Sequence, residues 1–119
     1  MTARVLSADA LAAALTFDGL DPADVVAGTP TASSSTLLDA GVEIGIWELT
    51  GGTVTDTEAD EVFVVLSGRG EVAFEDGEVV TVGPGCVVRL RAGERTTWTI
   101  TETLRKIYVL LPDPEDSPA

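Results

Sequence analysis

The chain has 119 residues, of which 45% are hydrophobic and 23% charged, a composition that fits one folded domain and excludes a disordered chain. Seven Lys and Arg stand against twenty Asp and Glu, and this net charge of −13 argues against nucleic acid or a membrane surface as a partner. Histidine is absent, which excludes Ser-His-Asp and Cys-His catalytic sites and metal sites with imidazole ligands.

The single cysteine, Cys86, cannot form a disulfide within the chain, so nothing in the sequence requires an oxidising compartment. The apolar run at residues 8–15 is interrupted by Asp9 and is far shorter than the roughly 18 residues that span a bilayer. Only Arg4 precedes this run, a pattern that does not fit a signal peptide. We therefore expect a cytoplasmic protein.

The first third of the chain, residues 1–35, predicts a short and partly helical arm that lies on the main domain. Ser7 is placed to cap a helix over residues 8–15. Asp21 begins an Asp-Pro-Ala-Asp sequence that is typical of a second helix start, and Gly28 is placed to end that helix. The polar stretch that follows has no periodicity, which indicates a connector.

From residue 36 to residue 111 the chain alternates short strands with turns, which predicts an antiparallel sandwich or barrel. Asp76-Gly77 favours a type I′ hairpin, Pro84-Gly85 favours a type II turn, and Ser67-Gly68 indicates a turn between two strands. Residues 112–119 are acidic and rich in proline, which predicts a flexible tail. The predicted strands are 36–39, 42–49, 53–56, 61–66, 70–75, 78–82, 86–91, 96–101 and 105–111.

Two predicted strands have no polar side. Residues 62–66 are apolar at every position, although a strand with one face in water alternates apolar and polar residues. Residues 107–111 show the same pattern less strongly. One face of each strand would lie in the core, so the other face needs to be covered by an arm or by a second subunit. We expect a homodimer; plain redundancy of apolar core residues is the alternative.

Short motifs with Gly, Trp, Glu and Arg occur in order between residues 41 and 111. They are Gly45-Ile46-Trp47-Glu48, Asp60-Glu61-Val62-Phe63, Leu66-Ser67-Gly68-Arg69, Gly93 with Trp98, and Arg105-Lys106-Ile107-Tyr108. Their order and spacing resemble the small single-domain cupins of the ureidoglycine aminohydrolase and ethanolamine-utilisation types. The resemblance implies an all-β fold, an RmlC-like jelly-roll β-barrel, which agrees with the strand pattern. The barrel would span residues 36–111.

The metal ligands of that family are mostly missing. Cupin metal sites resemble His-x-His followed by Glu, with one more His in a second motif. The matching positions carry other residues: Val54 and Asp56, or Thr55 and Thr57, and then Thr96. Glu61 alone is kept, and one carboxylate does not hold a transition metal. We therefore expect no metal and no cofactor; a hard cation held by Asp56, Glu58 and Glu61 is the alternative.

Glu61 is the first candidate for a functional group. Alternation places it on one strand face with Phe63, and the resemblance implies that this face and Trp98 look into the barrel. A carboxylate among aromatic rings would have a raised pKa and could act as a general acid or base; an inert, hydrogen-bonded Glu is the alternative. A buried carboxylate requires a partner. The candidate partners are Arg89, Arg91, Lys106 and Tyr108.

Three further sets of residues are candidates for the cavity. Tyr108 and Lys106 share a strand face and could act in catalysis with Glu61; a lysine at a strand edge without a role in the cavity is the alternative. The rings of Trp47, Phe63 and Trp98 could stack on a ligand, with packing in the core as the alternative. Arg89 and Arg91 belong to six cations between residues 69 and 106, which would form a positive patch for a small anion; separate solvated charges are the alternative.

Three functions remain open from the sequence. The first is a metal-free cupin that binds a small organic acid or a similar polar compound. The second is a small hydrolase or isomerase for a nitrogenous acid, with Glu61 as general acid or base, as the aminohydrolase resemblance implies. The third is a catalytically inactive accessory cupin that acts through assembly with another protein. A fold by itself does not decide among them.

Overall fold

The computed structural model describes residues 4–112, in which nine β-strands and one short 3₁₀ helix, Pro22–Asp24, are formed. In chain order the strands are β1 Thr16–Asp18, β2 Val25–Ala27, β3 Ala32–Asp39, β4 Glu43–Leu49, β5 Gly52–Thr57, β6 Glu61–Phe74, β7 Val79–Val82, β8 Val87–Leu90 and β9 Arg95–Leu110. In this part of the chain no helix has the length and apolar character needed to cross a membrane.

Two long strands, β6 and β9, are bent and pair with each other along most of their length. The second half of β9 pairs with β4, and its first half pairs with β5. The result is two antiparallel layers that share β6 and β9. The first sheet has the order β1-β3-β4-β9-β6-β8 and the second has the order β2-β5-β9-β6-β7. The all-β, jelly-roll prediction is confirmed.

The core fills the space between the two sheets. Its largest fully buried side chains include Phe63, Leu49, Leu90 and Leu104. Alternation along each strand sends these side chains inward and their neighbours outward. The inward-facing strand positions therefore carry both the packed core and the polar side chains that line a cavity.

The bend of β6 lies at Gly68. The register between β6 and β9 shifts on both sides of this residue. Gly68 has a φ of +94°, and a Cβ atom there would lie 2.1 Å from the carbonyl oxygen of Thr103. The predicted turn at Ser67-Gly68 is therefore wrong: the glycine makes a bulge inside one continuous strand. Predicted strands 61–66 and 70–75 are the two halves of β6.

The hairpin between β6 and β7 is present, but its turn is not type I′. Gly77 has a φ of +97°, whereas Asp76 has a negative φ. The N–H of Gly77 donates to the carbonyl of Phe74 at 3.0 Å, which makes a three-residue loop with glycine in the left-handed position. At the other predicted turn, the N–H of Cys86 donates to Gly83 O at 3.0 Å and Gly85 has a φ of +87°. The type II turn at Pro84-Gly85 is confirmed.

The predicted helices of the N-terminal arm are wrong. Asp9 accepts a hydrogen bond from the N–H of Leu11 at 3.1 Å and forms a single turn, after which the chain is extended. Asp21 does cap a helical turn, accepting from the N–H of Ala23 at 2.9 Å, but the chain then enters β2 directly. An isolated helix this short is marginal, and pairing of β1 with β3 and of β2 with β5 satisfies more backbone groups.

The expected connector before residue 36 is also strand, because β3 begins at Ala32. Upstream of the strands, the guanidinium of Arg105 holds the chain on the outer face of the first sheet. Its Nη1 donates to the carbonyl oxygens of Ala10 and Ala13, at 3.0 Å each, and its Nε pairs with Glu48 at 3.0 Å. Of the predicted tail, residues 113–119 lie outside the described residues.

Gly68 and Gly77 provide a matched test of the bulge. Both have a left-handed backbone, but a Cβ at Gly77 would meet nothing within 4 Å. Gly77→Ala should therefore lower the free energy of unfolding by about 1 kcal/mol, from backbone strain alone. Gly68→Ala should lower it by about 3 kcal/mol or more, because overlap with Thr103 is added. Urea unfolding followed by tryptophan fluorescence measures both; equal losses would contradict the bulge.

Candidate functional site

A cavity of about 310 Å³ lies between the two sheets. Its apolar wall includes Leu20, Val54, Leu110 and the rings of Trp47 and Trp98. Its charged groups are Asp24, Glu43, Asp56, Glu58, Glu61 and Lys106. The cavity thus has aromatic and aliphatic walls with carboxylates around them.

A buried ion pair lies in the cavity wall. Lys106 of β9 donates from Nζ to Glu61 Oε2 at 2.6 Å, and the two side chains are only 6% and 10% exposed. The register does not place the two residues opposite each other, since Glu61 pairs with Leu110 and Lys106 pairs with Val65. Both side chains lie on the inner face of the first sheet, and their length lets them meet there. Of the four partners predicted for Glu61, the one that it contacts is Lys106.

Three aromatic rings surround the ammonium group of Lys106. Its Nζ lies 4.4 Å from the ring centre of Phe63, 4.7 Å from that of Trp47 and 4.9 Å from that of Trp98. These distances are within the range of cation–π attraction. We call Lys106, Glu61 and the three rings the lysine cage. The rings also contact each other: the centroid of Trp98 lies 5.6 Å from Trp47, edge to face, and 5.5 Å from Phe63.

Glu61 is less acidic than an exposed glutamate. Burial raises its pKa above the ordinary value, the contact with Lys106 acts in the opposite direction, and the nearby charge of Glu58 raises it further. Since the carboxylate is bonded to the ammonium, Glu61 has its partner within the protein. A proton transfer from Glu61 to a ligand would require this pair to separate.

Glu58 is a site residue that the sequence pointed to only as a possible cation ligand. Its Oε2 accepts hydrogen bonds from Thr96 Oγ1 at 2.6 Å and from Trp98 Nε1 at 3.0 Å, and the residue is 8% exposed. It lies in the loop after β5, where strand alternation does not predict the direction of a side chain. Its backbone bonds with Glu94 and Gly93, which continue the pairing of β5 with β9, help to set that direction.

Asp56 lies at the end of β5 and is exposed as a residue, while its carboxyl group faces the cavity. Burial of that carboxyl, together with the charge of Glu58, raises the pKa of Asp56 from 3.8 to about 6. Asp24 approaches from the 3₁₀ helix and accepts a hydrogen bond from Thr55 Oγ1 at 3.3 Å. The cavity mouth therefore carries two carboxylates from different segments.

Tyr108 lies beside Lys106 on the inner face of β9, as the shared strand face predicts. Its hydroxyl donates to Glu43 Oε2 at 2.9 Å. Gly45 makes room for the ring, because a Cβ there would lie 2.3 Å from the tyrosine oxygen. Burial raises the pKa of the Tyr108 hydroxyl, and Glu43 adds to that effect.

Arg89 and Arg91 do not line the cavity. Glu61 pairs in register with Leu90, whose side chain is buried, so the neighbouring Arg89 faces outward. Arg89 is 40% exposed and pairs with Asp60 at 3.3 Å. Arg91 is exposed at the turn that follows β8. Of the other residues predicted for the site, Trp47, Trp98, Glu61, Lys106 and Tyr108 line the cavity, and Phe63 packs behind Lys106.

The residues in the cavity do not fit a transition metal. The carboxylate of Glu61 is bonded to an ammonium group, and the hydroxyl of Thr96 is bonded to Glu58. Within residues 4–112, no three Asp, Glu or Cys side chains are grouped so that they could hold an ion. Asp56, Glu58 and Glu61, the alternative hard-cation site, therefore do not form such a group either.

The ion pair predicts a non-additive effect on stability. Lys106→Met leaves Glu61 buried without a cation and should lower the free energy of unfolding by about 3–5 kcal/mol. Adding Glu61→Gln should restore part of this loss, because the uncompensated charge is removed. Arg89→Met, which breaks the exposed pair with Asp60, should cost less than about 1 kcal/mol. Urea unfolding of the four proteins checks this; a double variant less stable than Lys106→Met would contradict it.

Comparison with known proteins agrees with the jelly-roll fold. Residues 37–108 match the family model described as the EutQ-like cupin domain. No curated protein matches the chain. A protein of unknown function of the DUF861 family, from Pseudomonas syringae pv. tomato str. DC3000, is 27% identical, with a TM-score of 0.74 over 83% of this chain and 45% of the other. The present chain thus spans less than half of that protein.

Two further solved structures are similar. A protein of unknown function from Rhizobium leguminosarum bv. viciae 3841 is 35% identical, with a TM-score of 0.63 over 69% of this chain and 82% of the other. A putative ethanolamine utilization protein, EutQ, from Salmonella typhimurium LT2 is 22% identical, with a TM-score of 0.62 over 69% and 70% of the two chains, and shows the shared fold alone. Since the family model covers most of the strands, the chain belongs to the EutQ-like cupin domain family.

Proposed function

We propose that this cupin binds a small nitrogenous compound, protonated at nitrogen, in the cavity between its two sheets. The charge of the cavity carries the proposal. Among the residues that the structure describes, the lining has a single cation, Lys106, which is already paired with Glu61. Its carboxylates are those of Asp24, Glu43, Asp56, Glu58 and Glu61. The excess of negative charge attracts a cation and repels an anion.

A small organic acid, the ligand first expected from the sequence, loses its support. The cations expected to bind it were Arg89 and Arg91, and both lie outside the cavity lining. Lys106 has its nitrogen enclosed by Glu61 and three rings. A carboxylate in this cavity would therefore meet several like charges, and the lining residues within 4–112 offer no free cation to offset them.

The size and walls of the cavity agree with a small ligand. Its volume of about 310 Å³ is at the lower end of the range for ligand pockets, roughly 300–1,000 Å³. Leu20, Val54 and Leu110 offer an apolar surface for an alkyl chain. Space of this kind, not filled by side chains, favours ligand binding over the purely accessory role.

Acid–base catalysis on such a compound is the second candidate, and Asp56 favours it. Its pKa of about 6 is suitable for a general acid or base near neutral pH, and its carboxyl faces the cavity. Glu61, the base first expected, is engaged by Lys106. Under the enzyme hypothesis, Asp56 replaces Glu61 as the group that exchanges a proton with the ligand.

Matched probes of opposite charge test the proposed function. Propylammonium and propionate have similar size, so they compare charge while shape is nearly constant. We expect saturable quenching or enhancement of tryptophan fluorescence by propylammonium, since both tryptophans, Trp47 and Trp98, lie on the cavity. Propionate should give no saturable change at the same concentrations. Tighter binding of propionate, or no binding of either probe, would contradict the proposal.

A homodimer remains part of the proposal, and the outer face of the first sheet supports it. Val64 pairs in register with Val87 of β8 on one side and with Ile107 of β9 on the other. These side chains face away from the core, and Val87 is 64% exposed. A row of apolar side chains on three adjacent strands is suited to contact with a second copy.

The cytoplasm remains the proposed location.

The dimer predicts a different response to charge on the two sheets. Val87→Glu places a carboxylate in the proposed interface and should give a monomer of 12.3 kDa, whereas the wild type should have about twice that mass. Val79→Glu is the control, because Val79 is 55% exposed at the edge of the second sheet. Light scattering after size exclusion measures the masses. A wild-type monomer at micromolar concentration would contradict the dimer.

A further inference from the structure

Glu58 is a buried carboxylate that faces the cavity without a cation of its own. Its residue is 8% exposed, and the two hydrogen bonds that it accepts both end on Oε2. Within the described part of the chain, no Lys or Arg forms an ion pair with it, and Oε1 accepts no hydrogen bond. One oxygen is therefore held by the protein, and the other is not sealed in the core and belongs to a residue that lines the cavity.

The direction of this carboxylate is fixed by its surroundings. The N–H of Glu58 donates to Glu94 O at 2.8 Å, and its carbonyl accepts from the N–H of Gly93 at 2.9 Å. Thr96 and Trp98, both buried in β9, provide the two donors to Oε2. With the backbone and one oxygen both held, the side chain does not swing into bulk water.

The negative charge of Glu58 also acts on its neighbours. It contributes to the raised pKa of Asp56 and to the raised pKa of Glu61. Lys106 does not neutralise it, because the ammonium is bonded to Glu61 and enclosed by the rings. Because the carboxylate of Glu58 repels those of Asp56 and Glu61, a cation bound beside it would compensate the excess negative charge.

We propose that Glu58 is the recognition group for the protonated nitrogen of the ligand, a small alkylammonium compound that donates to Oε1. This inference rests on the proposed function and names the atom that would provide its selectivity. Because Thr96 and Trp98 hold Oε2, the carboxylate is oriented before the ligand binds and can accept its N–H at Oε1. The alkyl part of the ligand would lie along Leu20, Val54 and Leu110.

A recognition carboxylate of this kind makes the ligand-free protein less stable. A buried charge without a cation is costly, whereas an amide of the same shape is not. Gln at this position keeps an oxygen that can accept from Thr96 and Trp98. Removal of the charge should therefore stabilise the free protein and weaken ligand binding, a pair of opposite effects that a purely structural glutamate would not give.

The first experiment measures both effects in Glu58→Gln at neutral pH. We expect the melting temperature without ligand to rise by about 4 °C, and the dissociation constant for propylammonium to rise at least tenfold. Glu71→Gln removes one charge at an exposed position of β6 and should change neither quantity. A lower melting temperature with unchanged affinity would show a structural role and overturn the inference.

The second experiment observes ligand binding in the wild-type protein, and a variant serves only to assign its signals. In a ¹⁵N-labelled sample, the indole N–H signals of Trp47 and Trp98 are assigned with Trp47→Phe. Because Trp98 Nε1 donates to Glu58, propylammonium should shift the Trp98 signal more than that of Trp47. Equal shifts, together with unchanged affinity in Glu58→Gln, would overturn the role of Glu58 alone. No binding to the wild type would instead contradict the proposed function.

Discussion

The contact between the Lys106 ammonium and the Glu61 carboxylate, 2.6 Å long and nearly enclosed, is the interaction on which the rest of the site depends. Neither charge would remain in a barrel this small without the other, because the cost of removing an ion from water is large. The cation draws Trp47, Phe63 and Trp98 around itself. The two tryptophans then form part of the cavity wall, and Trp98 carries the indole N–H that orients Glu58.

The shared strands make this site possible. β9 contributes Thr96 and Trp98 from its first half and Lys106 and Tyr108 from its second half, and the two halves belong to different sheets. The bend places side chains from one strand on both sides of the same cavity. Gly68 permits the matching bend in β6, since any larger residue would meet the backbone of Thr103. The bulge at Gly68 in β6 thus helps to set how the two halves of β9, and the side chains that they carry, are placed around the cavity.

Much of the fold followed from alternation, and its failures have physical causes. The strands after residue 36 could be predicted because their inward positions are apolar at every second residue. The bulge at Gly68 could not be predicted, because a glycine with positive φ serves a turn and a bulge equally well. The helix expected at residues 8–15 has good propensity, but so short a helix gains little without packing. Here the chain continues into β1, which pairs with β3.

The same reasoning separates the residues of the site. The direction of Glu61 could be predicted because strand alternation and the family resemblance agree on it. For Lys106 and Tyr108 alternation predicted a shared strand face, but not that this face is the inner one. Arg89 could not be placed, since only the register of Glu61 with Leu90 shows which face of β8 is inward. Glu58 lies in a loop and takes its direction from a contact with Glu94, which is distant in sequence. Single-strand periodicity contains no information about such a contact.

The lysine cage has a consequence for the chemistry of the protein surface. Lys106 is the only lysine in the sequence, so every other side-chain cation is an arginine. In the folded state the sole ε-amino group is 6% exposed. Amine-directed reagents, including acylating cross-linkers and biotin esters, therefore find the lysine side chain buried in the folded protein. The rate at which Lys106 itself becomes acylated reports how often the barrel opens.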